Sequence, residues 1–186
     1  MMRIITGTAR GIRLETLDGE TTRPTIERIK EAVFSMIQFD IEGRRVLDLF
    51  AGSGQLGLEA LSRGALKAVF VDNDREAAEI VKCNAQKTKL YEKCVILNTD
   101  YQQYIKNSKG KEKFDIIFLD PPYQTDMLDK ALNRIAECDI LHDNGIIICE
   151  SDRTEPLSSE GMELVKHARY GKVYITILIK PVSEGE

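Results

Sequence analysis

Val46-Leu47-Asp48-Leu49-Phe50-Ala51-Gly52-Ser53-Gly54-Gln55-Leu56-Gly57 is the stretch that decides how this chain folds. An apolar run ends in a small-residue turn, and an amphipathic pattern begins directly after it. Gly52 and Gly54 allow positive φ and close approach of the backbone to a ligand, because no Cβ intervenes. Gly57 lets the next helix lie against the strand. The spacing is Gly-x-Gly-x-x-Gly, and Asp72 closes the following apolar run, Ala68 to Val71. A glycine turn followed by an acid that can accept from ribose hydroxyls is the layout of a nucleoside-binding βαβ unit. The alternative is a tight strand-to-helix turn whose glycines serve packing alone.

The rest of the chain fits a globular protein with an ample core: 186 residues, 42% hydrophobic and 30% charged. No apolar run approaches the roughly 20 residues that span a bilayer, and the first residues lack a secretory h-region, so a cytoplasmic protein is expected. The four cysteines (Cys83, Cys94, Cys138, Cys149) form no Cys-x-x-Cys pair, and three fall in apolar segments, which points to free thiols in a reducing compartment. Cys138 with His142 is too few ligands for zinc, and no metal is expected. A net charge of −4 excludes a nucleic-acid footprint over the whole surface but not a local one. Arg3, Arg10 and Arg13 stand without an acid in residues 1–14. Lys106, Lys109, Lys111 and Lys113 read as a solvated loop.

Residues 2–16 alternate around Gly7 and Gly11, predicting a short β-hairpin or arm too polar to be core. Arg23-Pro24-Thr25 leads into a helix from about Ile26 to Phe39, capped by Thr25, with Ile26, Ile29, Val33, Met36 and Ile37 on one face. From Arg44 strands and helices alternate. Strands are expected near 45–49, 67–72, 94–98, 114–119 and 145–150, and helices near 55–63, 75–88, 100–107 and 126–137. The strand cores are almost continuously apolar, as in a parallel sheet covered on both faces. Asn73 or Asp74 should cap the helix after the second strand. Two runs around Gly171, Met162 to Tyr170 and Lys172 to Lys180, form a terminal hairpin, which brings one antiparallel strand. The predicted fold is α/β, a three-layer Rossmann-like sandwich with a mostly parallel seven-stranded sheet. Its parts are an arm (1–24), a leading helix (25–43) and a core (44–181), all within one domain.

Ligands of parallel sheets sit at the carboxyl ends of the strands. The residues there are Asp48 and the glycine turn, then Asp72 and Asn73, then Asp100 and Tyr101, then Asp120-Pro121-Pro122-Tyr123. The two prolines hold the backbone extended, so the Pro121 carbonyl points rigidly outward beside the Asp120 carboxylate. These are two acceptors about one amino group apart, and Tyr123 adds a flat face for a planar ring. An amino group on a base is a poor nucleophile because its lone pair is delocalised into the ring. Accepting both of its hydrogens draws the nitrogen toward a tetrahedral form and frees that pair.

With these motifs in hand, the chain resembles the class I S-adenosylmethionine-dependent methyltransferases from about Arg44 to Pro181. More narrowly it is similar to the RsmD family, bacterial 16S rRNA guanine-N2 methyltransferases. The matching residues are Ile4-Ile5-Thr6-Gly7 with Arg10-Gly11, and Arg23-Pro24-Thr25 with Arg28 and Glu31-Ala32-Val33-Phe34. They continue through Asp48 to Gly54, Leu56 to Ala65, and Asp120-Pro121-Pro122-Tyr123. The resemblance implies that Gly52, Ser53, Gly54 and Leu56 lie against the cofactor, with Asp48 near its amino group. It implies that Asp72 accepts from the ribose, Asn73 lies along the adenine, and Asp100 with Tyr101 reads the adenine edge. Asp120, Pro121, Pro122 and Tyr123 would hold the guanine, and Arg10, Arg13, Arg23 and Arg28 would clamp the RNA. The implied cofactor is S-adenosyl-L-methionine. The implied partner is 16S rRNA or the assembling small subunit, with no membrane and with a monomeric enzyme. A methyltransferase acting on DNA adenine-N6 or protein glutamine-N5 uses the same acceptor pair and stays open as the alternative. A nicotinamide dehydrogenase would leave the Asp-Pro-Pro-Tyr loop idle, and an RNA-binding assembly protein would leave the glycine turn idle.

Overall fold

The computed structural model describes residues 2–17 and 24–182. Its strands are β1 (Arg45–Asp48), β2 (Lys67–Asp72), β3 (Cys94–Asn98), β4 (Phe114–Leu119), β5 (Leu141–Ser151), β6 (Glu163–Tyr170) and β7 (Val173–Ile179). They form one sheet in the order β3-β2-β1-β4-β5-β7-β6, with β7 the antiparallel member. The helices are α1 (Pro24–Met36), α2 (Gln55–Ser62), α3 (Arg75–Lys87), α4 (Tyr101–Ser108) and α5 (Met127–Cys138). Among the described residues no helix is long and apolar enough to cross a membrane.

The nearly continuous apolar strands divide their side chains between two cores, as a doubly covered sheet requires. Val46, Ala68, Phe70, Ile116, Phe118 and Ile148 pack under α1, α2 and α3 on one face. Leu47, Val69, Ile117, Leu119 and Cys149 pack under α4 and α5 on the other. The chain leaves β1 toward β2 and β3, then crosses back to place β4 on β1's other side. This reversal opens a crevice at the carboxyl ends of β1 and β4. Gly57 has the packing role its position suggested: a Cβ there would lie 2.3 Å from the Phe70 ring.

Three expectations need correction. The arm is not outside the core: Met2, Ile4, Ala9 and Leu14 are buried against α1 and α2. Its backbone is satisfied by a buried carboxylate, since the N–H groups of Ile5 and Thr6 donate to Glu59 at 2.8 and 3.0 Å. Helix α1 begins at Pro24 and ends at Met36, so Thr25 lies inside it rather than capping it. Proline suits a first helical position because its φ is preset and its missing N–H would be unpaired there anyway. Third, β5 begins four residues before its expected start at 145, with Asn144 at φ 59° and an irregularity in pairing between Phe114 and Ile116.

The cap of α3 resolves to Asp74, which accepts from the Glu76 N–H at 2.8 Å. The four cysteines are free, Cys138 and Cys149 buried and the other two half-buried.

Candidate active site

A cleft of about 740 Å³ opens at the crevice. Its lining joins Asp48, Gly52, Ser53, Leu56, Asp72 and Asn73 to Asp120, Pro121, Pro122 and Tyr123. The two motifs, some seventy residues apart in sequence, therefore share one wall because β1 and β4 are neighbours.

The glycine turn is built from backbone and from acids. Gly52 and Gly54 hold φ of 50° and 77°, and Gly54 precedes α2. The Asp72 carboxylate accepts from the Gly52 N–H at 2.9 Å through one oxygen and from the Asp74 N–H at 2.9 Å through the other. Asp48 is buried and accepts from the Gly57 N–H at 2.9 Å. Burial pushes its carboxyl up to about 7, against the pull of that hydrogen bond, and the nearby Asp72 adds to the rise. Ser53 turns its hydroxyl to the Met2 sulfur at 3.2 Å. The carbonyl of Ser53 accepts from Asn84 on α3, which also bonds both backbone groups of Glu15, at 2.8 and 2.9 Å. The arm thus braces the turn from behind at both of its ends.

At the other end of that wall, Tyr123 is 46% exposed and its hydroxyl donates to Glu150 at 2.6 Å. Burial and the adjacent Glu150 push the phenol well above its usual range, so it stays a donor. Burial also pushes Glu150 up, while the tyrosine's hydrogen bond pulls it down.

Among the described residues, Gly54, Asp100 and Tyr101 are not part of the cleft lining. Gly54 turns the chain behind it, where a Cβ would stand 3.1 Å from a Val81 methyl. The Asp100 carboxylate caps α4 by accepting from Gln102 and Gln103 at 2.9 and 3.0 Å. Tyr101 is buried, its ring 5.0 Å from Phe50, and Phe50 itself faces the cleft. Arg10, Arg13 and Arg28 are exposed, and Arg23 lies outside the described residues.

Sequence reasoning missed Glu150, Gln55, Phe50, Met2 and Met127, all of which line the cleft. Glu150 carried a signal. It is a carboxylate closing the apolar run Ile146 to Cys149, the same position that singled out the acids of the other strands.

The family model described as Conserved hypothetical protein 95 matches residues 2–179. Ribosomal RNA small subunit methyltransferase D of Haemophilus influenzae is 36% identical, over 92% of this chain and 90% of its own length. The solved Escherichia coli protein yhhF superposes with a TM-score of 0.86 at 29% identity, covering 98% of this chain and 99% of that one. A Thermus thermophilus 16S rRNA N2 G1207 methyltransferase, solved with AdoMet and guanosine, shares the fold at 19% identity. Its TM-score is 0.66, covering 90% of this chain and 45% of that one. The chain belongs to the RsmD family, within the class I S-adenosylmethionine-dependent methyltransferases.

Proposed function

We propose that this protein methylates the exocyclic N2 amino group of one guanine in the RNA of the small ribosomal subunit. The observation that carries the reading is the shared cleft. Asp120 and Pro121 line the same space as the acid-lined glycine turn.

The residues fit S-adenosylmethionine. A cleft of about 740 Å³ is the size of a small-molecule site, and its acids suit a cationic amino group and a ribose. Asp48 is assigned to the amino group, and Asp72 and Asn73 to the ribose and adenine. Asp100 and Tyr101 act one layer back, the first by starting α4 and the second by backing Phe50. When bound, the cofactor supplies a methyl on a sulfonium, and the new N–C bond forms as the C–S bond breaks with its electrons left on sulfur. Asp120 and the Pro121 carbonyl accept the two amino hydrogens and aim the nitrogen's lone pair. Holding the reacting atoms within about 3–3.5 Å in line supplies much of the rate. The nitrogen's extra proton leaves to Asp120 or to water. Pro122 keeps Tyr123 placed to stack on the base.

A paired base cannot enter this cleft, so the guanine arrives unpaired or flipped out, at a cost of a few kcal/mol. Arg10, Arg13 and Arg28 are exposed and available to the RNA backbone, and the same role is proposed for Arg23. We place the enzyme in the cytoplasm, working as a monomer. Tritiated S-adenosylmethionine offered with unmodified small subunits, DNA and a glutamine-bearing release factor tests the substrate class. Label entering only the RNA supports the reading, and label entering DNA or protein replaces it.

Two further results are expected. Asp48 holds its proton more tightly in the folded chain than in the unfolded one. Its contribution to stability therefore falls as pH rises from roughly 4 to 7 and is level above that. A cationic amino group beside it displaces the proton. S-adenosylhomocysteine affinity should then rise with pH through about 7, with proton release seen by calorimetry in buffers of different ionisation heat. Asp48→Asn should remove both effects. Separately, changing Arg10 and Arg13 to Ala should weaken RNA binding and lower the salt slope by roughly 0.7–0.9 for each phosphate no longer neutralised. An unchanged slope would assign the arm's arginines elsewhere.

A further inference from the structure

We propose that Glu150 reads the N1–H of the target guanine and so sets the choice of base. The inference rests on the guanine-N2 reading above and deepens it. Strands β4 and β5 are parallel neighbours, with Leu119 opposite Cys149 and both side chains in the α4–α5 core. Side chains alternate along a strand, so the next pair, Asp120 and Glu150, lies on the other face. Continuing that register sets the two carboxylates side by side at the rim, on strands about 4.8 Å apart. Both line the cleft, and both line the small void beneath it between α1, α2 and the sheet. Guanine carries N1–H directly beside its N2 amino group. A base whose amine is held by Asp120 and Pro121 therefore brings a second donor toward the neighbouring strand.

Glu150 is the acceptor waiting there. Tyr123 occupies one Glu150 oxygen, at 2.6 Å, and a carboxylate offers roughly four acceptor positions. The same bond orients the tyrosine ring, so one carboxylate sets both the stacking face and the edge contact. Adenine presents a bare N1 acceptor instead of N1–H, and would face Glu150 lone pair to lone pair. The rejection follows from leaving a half-buried carboxylate oxygen, beyond the one bonded to Tyr123, without a donor. The oxygen of Gln55, buried in the same lining with no hydrogen-bond partner among the described residues, gives that side a further acceptor.

The test uses small subunits reconstituted from 16S rRNA carrying either guanosine or 2-aminopurine at the methylated position. 2-Aminopurine keeps the amine but has a bare N1. Wild type is expected to prefer guanosine by about 10–100-fold in kcat/KM. Glu150→Gln, whose amide can donate to a bare N1, should lose activity on guanosine and gain it on 2-aminopurine. The ratio then falls at least about tenfold. Affinities for the two subunits with S-adenosylhomocysteine present, read by filter binding, should shift the same way. Tyr123→Phe removes the tyrosine–glutamate bond alone and should slow both substrates with the ratio kept. If Glu150→Gln lowers both substrates equally, Glu150 only anchors Tyr123 and the proposal falls. If wild type transfers no methyl to guanosine but does methylate another nitrogen, the guanine reading fails, and this one with it.

Discussion

Asp120→Ala is expected to lower kcat for RNA methylation by about 10³-fold or more while leaving S-adenosylhomocysteine affinity within about threefold. The asymmetry follows from position. Asp120 follows β4, whereas the acids assigned to the cofactor stand on β1 and β2. Alanine keeps the extended Pro121-Pro122 backbone but leaves only one acceptor for the two amino hydrogens. The nitrogen's lone pair then stays delocalised in the ring, and its aim at the methyl is lost. Asp120→Asn should fall between the two, since its amide keeps one acceptor oxygen but sets an N–H₂ against the substrate amine. Turnover by the alanine variant within tenfold of wild type would remove Asp120 from the chemistry.

The second large effect concerns stability, and its centre is Glu59. This carboxylate on α2 is fully buried. It accepts from the arm at Ile5 and Thr6, from the Arg63 guanidinium at 2.8 Å, and stands 3.5 Å from the Lys30 ammonium of α1. Lys30 is itself buried and also donates to the Arg3 carbonyl at 2.5 Å. Burial holds its ammonium below the ordinary range although Glu59 pulls it upward. Glu59→Ala strands two backbone donors and a buried cation together, which costs about 3–5 kcal/mol. For a chain of this size that lowers the melting temperature by roughly 6–20 °C. Adding Lys30→Met removes the unpaired charge and should recover part of the loss. The arm also braces the glycine turn through Met2 and Ser53, so cofactor affinity should fall with it. A loss under about 1 kcal/mol in denaturant unfolding would mean that the arm docks by apolar packing alone.

What the sequence disclosed and what it hid divide along a physical line. The glycine turn and Asp-Pro-Pro-Tyr are legible because backbone geometry is written into glycine and proline themselves. The two-sided sheet is legible because its strands are apolar on both faces. Glu59 and Lys30 were not legible, because each reads as an ordinary exposed charge at helical spacing. Only folding brings α1, α2 and the arm together around them. The arm's burial was hidden for a related reason. Met2, Ile4, Ala9 and Leu14 keep no single period, since the chain turns at Gly7 and Gly11 between them, and a Cβ at Gly7 would collide with the Ser62 carbonyl. Asp100 shows an ambiguity that spacing does not resolve. An acid at a strand's end can serve a ligand or cap the next helix, and here its oxygen accepts from Gln102 and Gln103.

A mass-spectrometric map of small-subunit RNA from cells with and without this protein bears most directly on the central claim. The account predicts one guanine whose N2-methyl mark disappears when the protein is removed and returns with the wild-type chain but not with Asp120→Ala. An identical set of methylated guanines in both RNAs would contradict it.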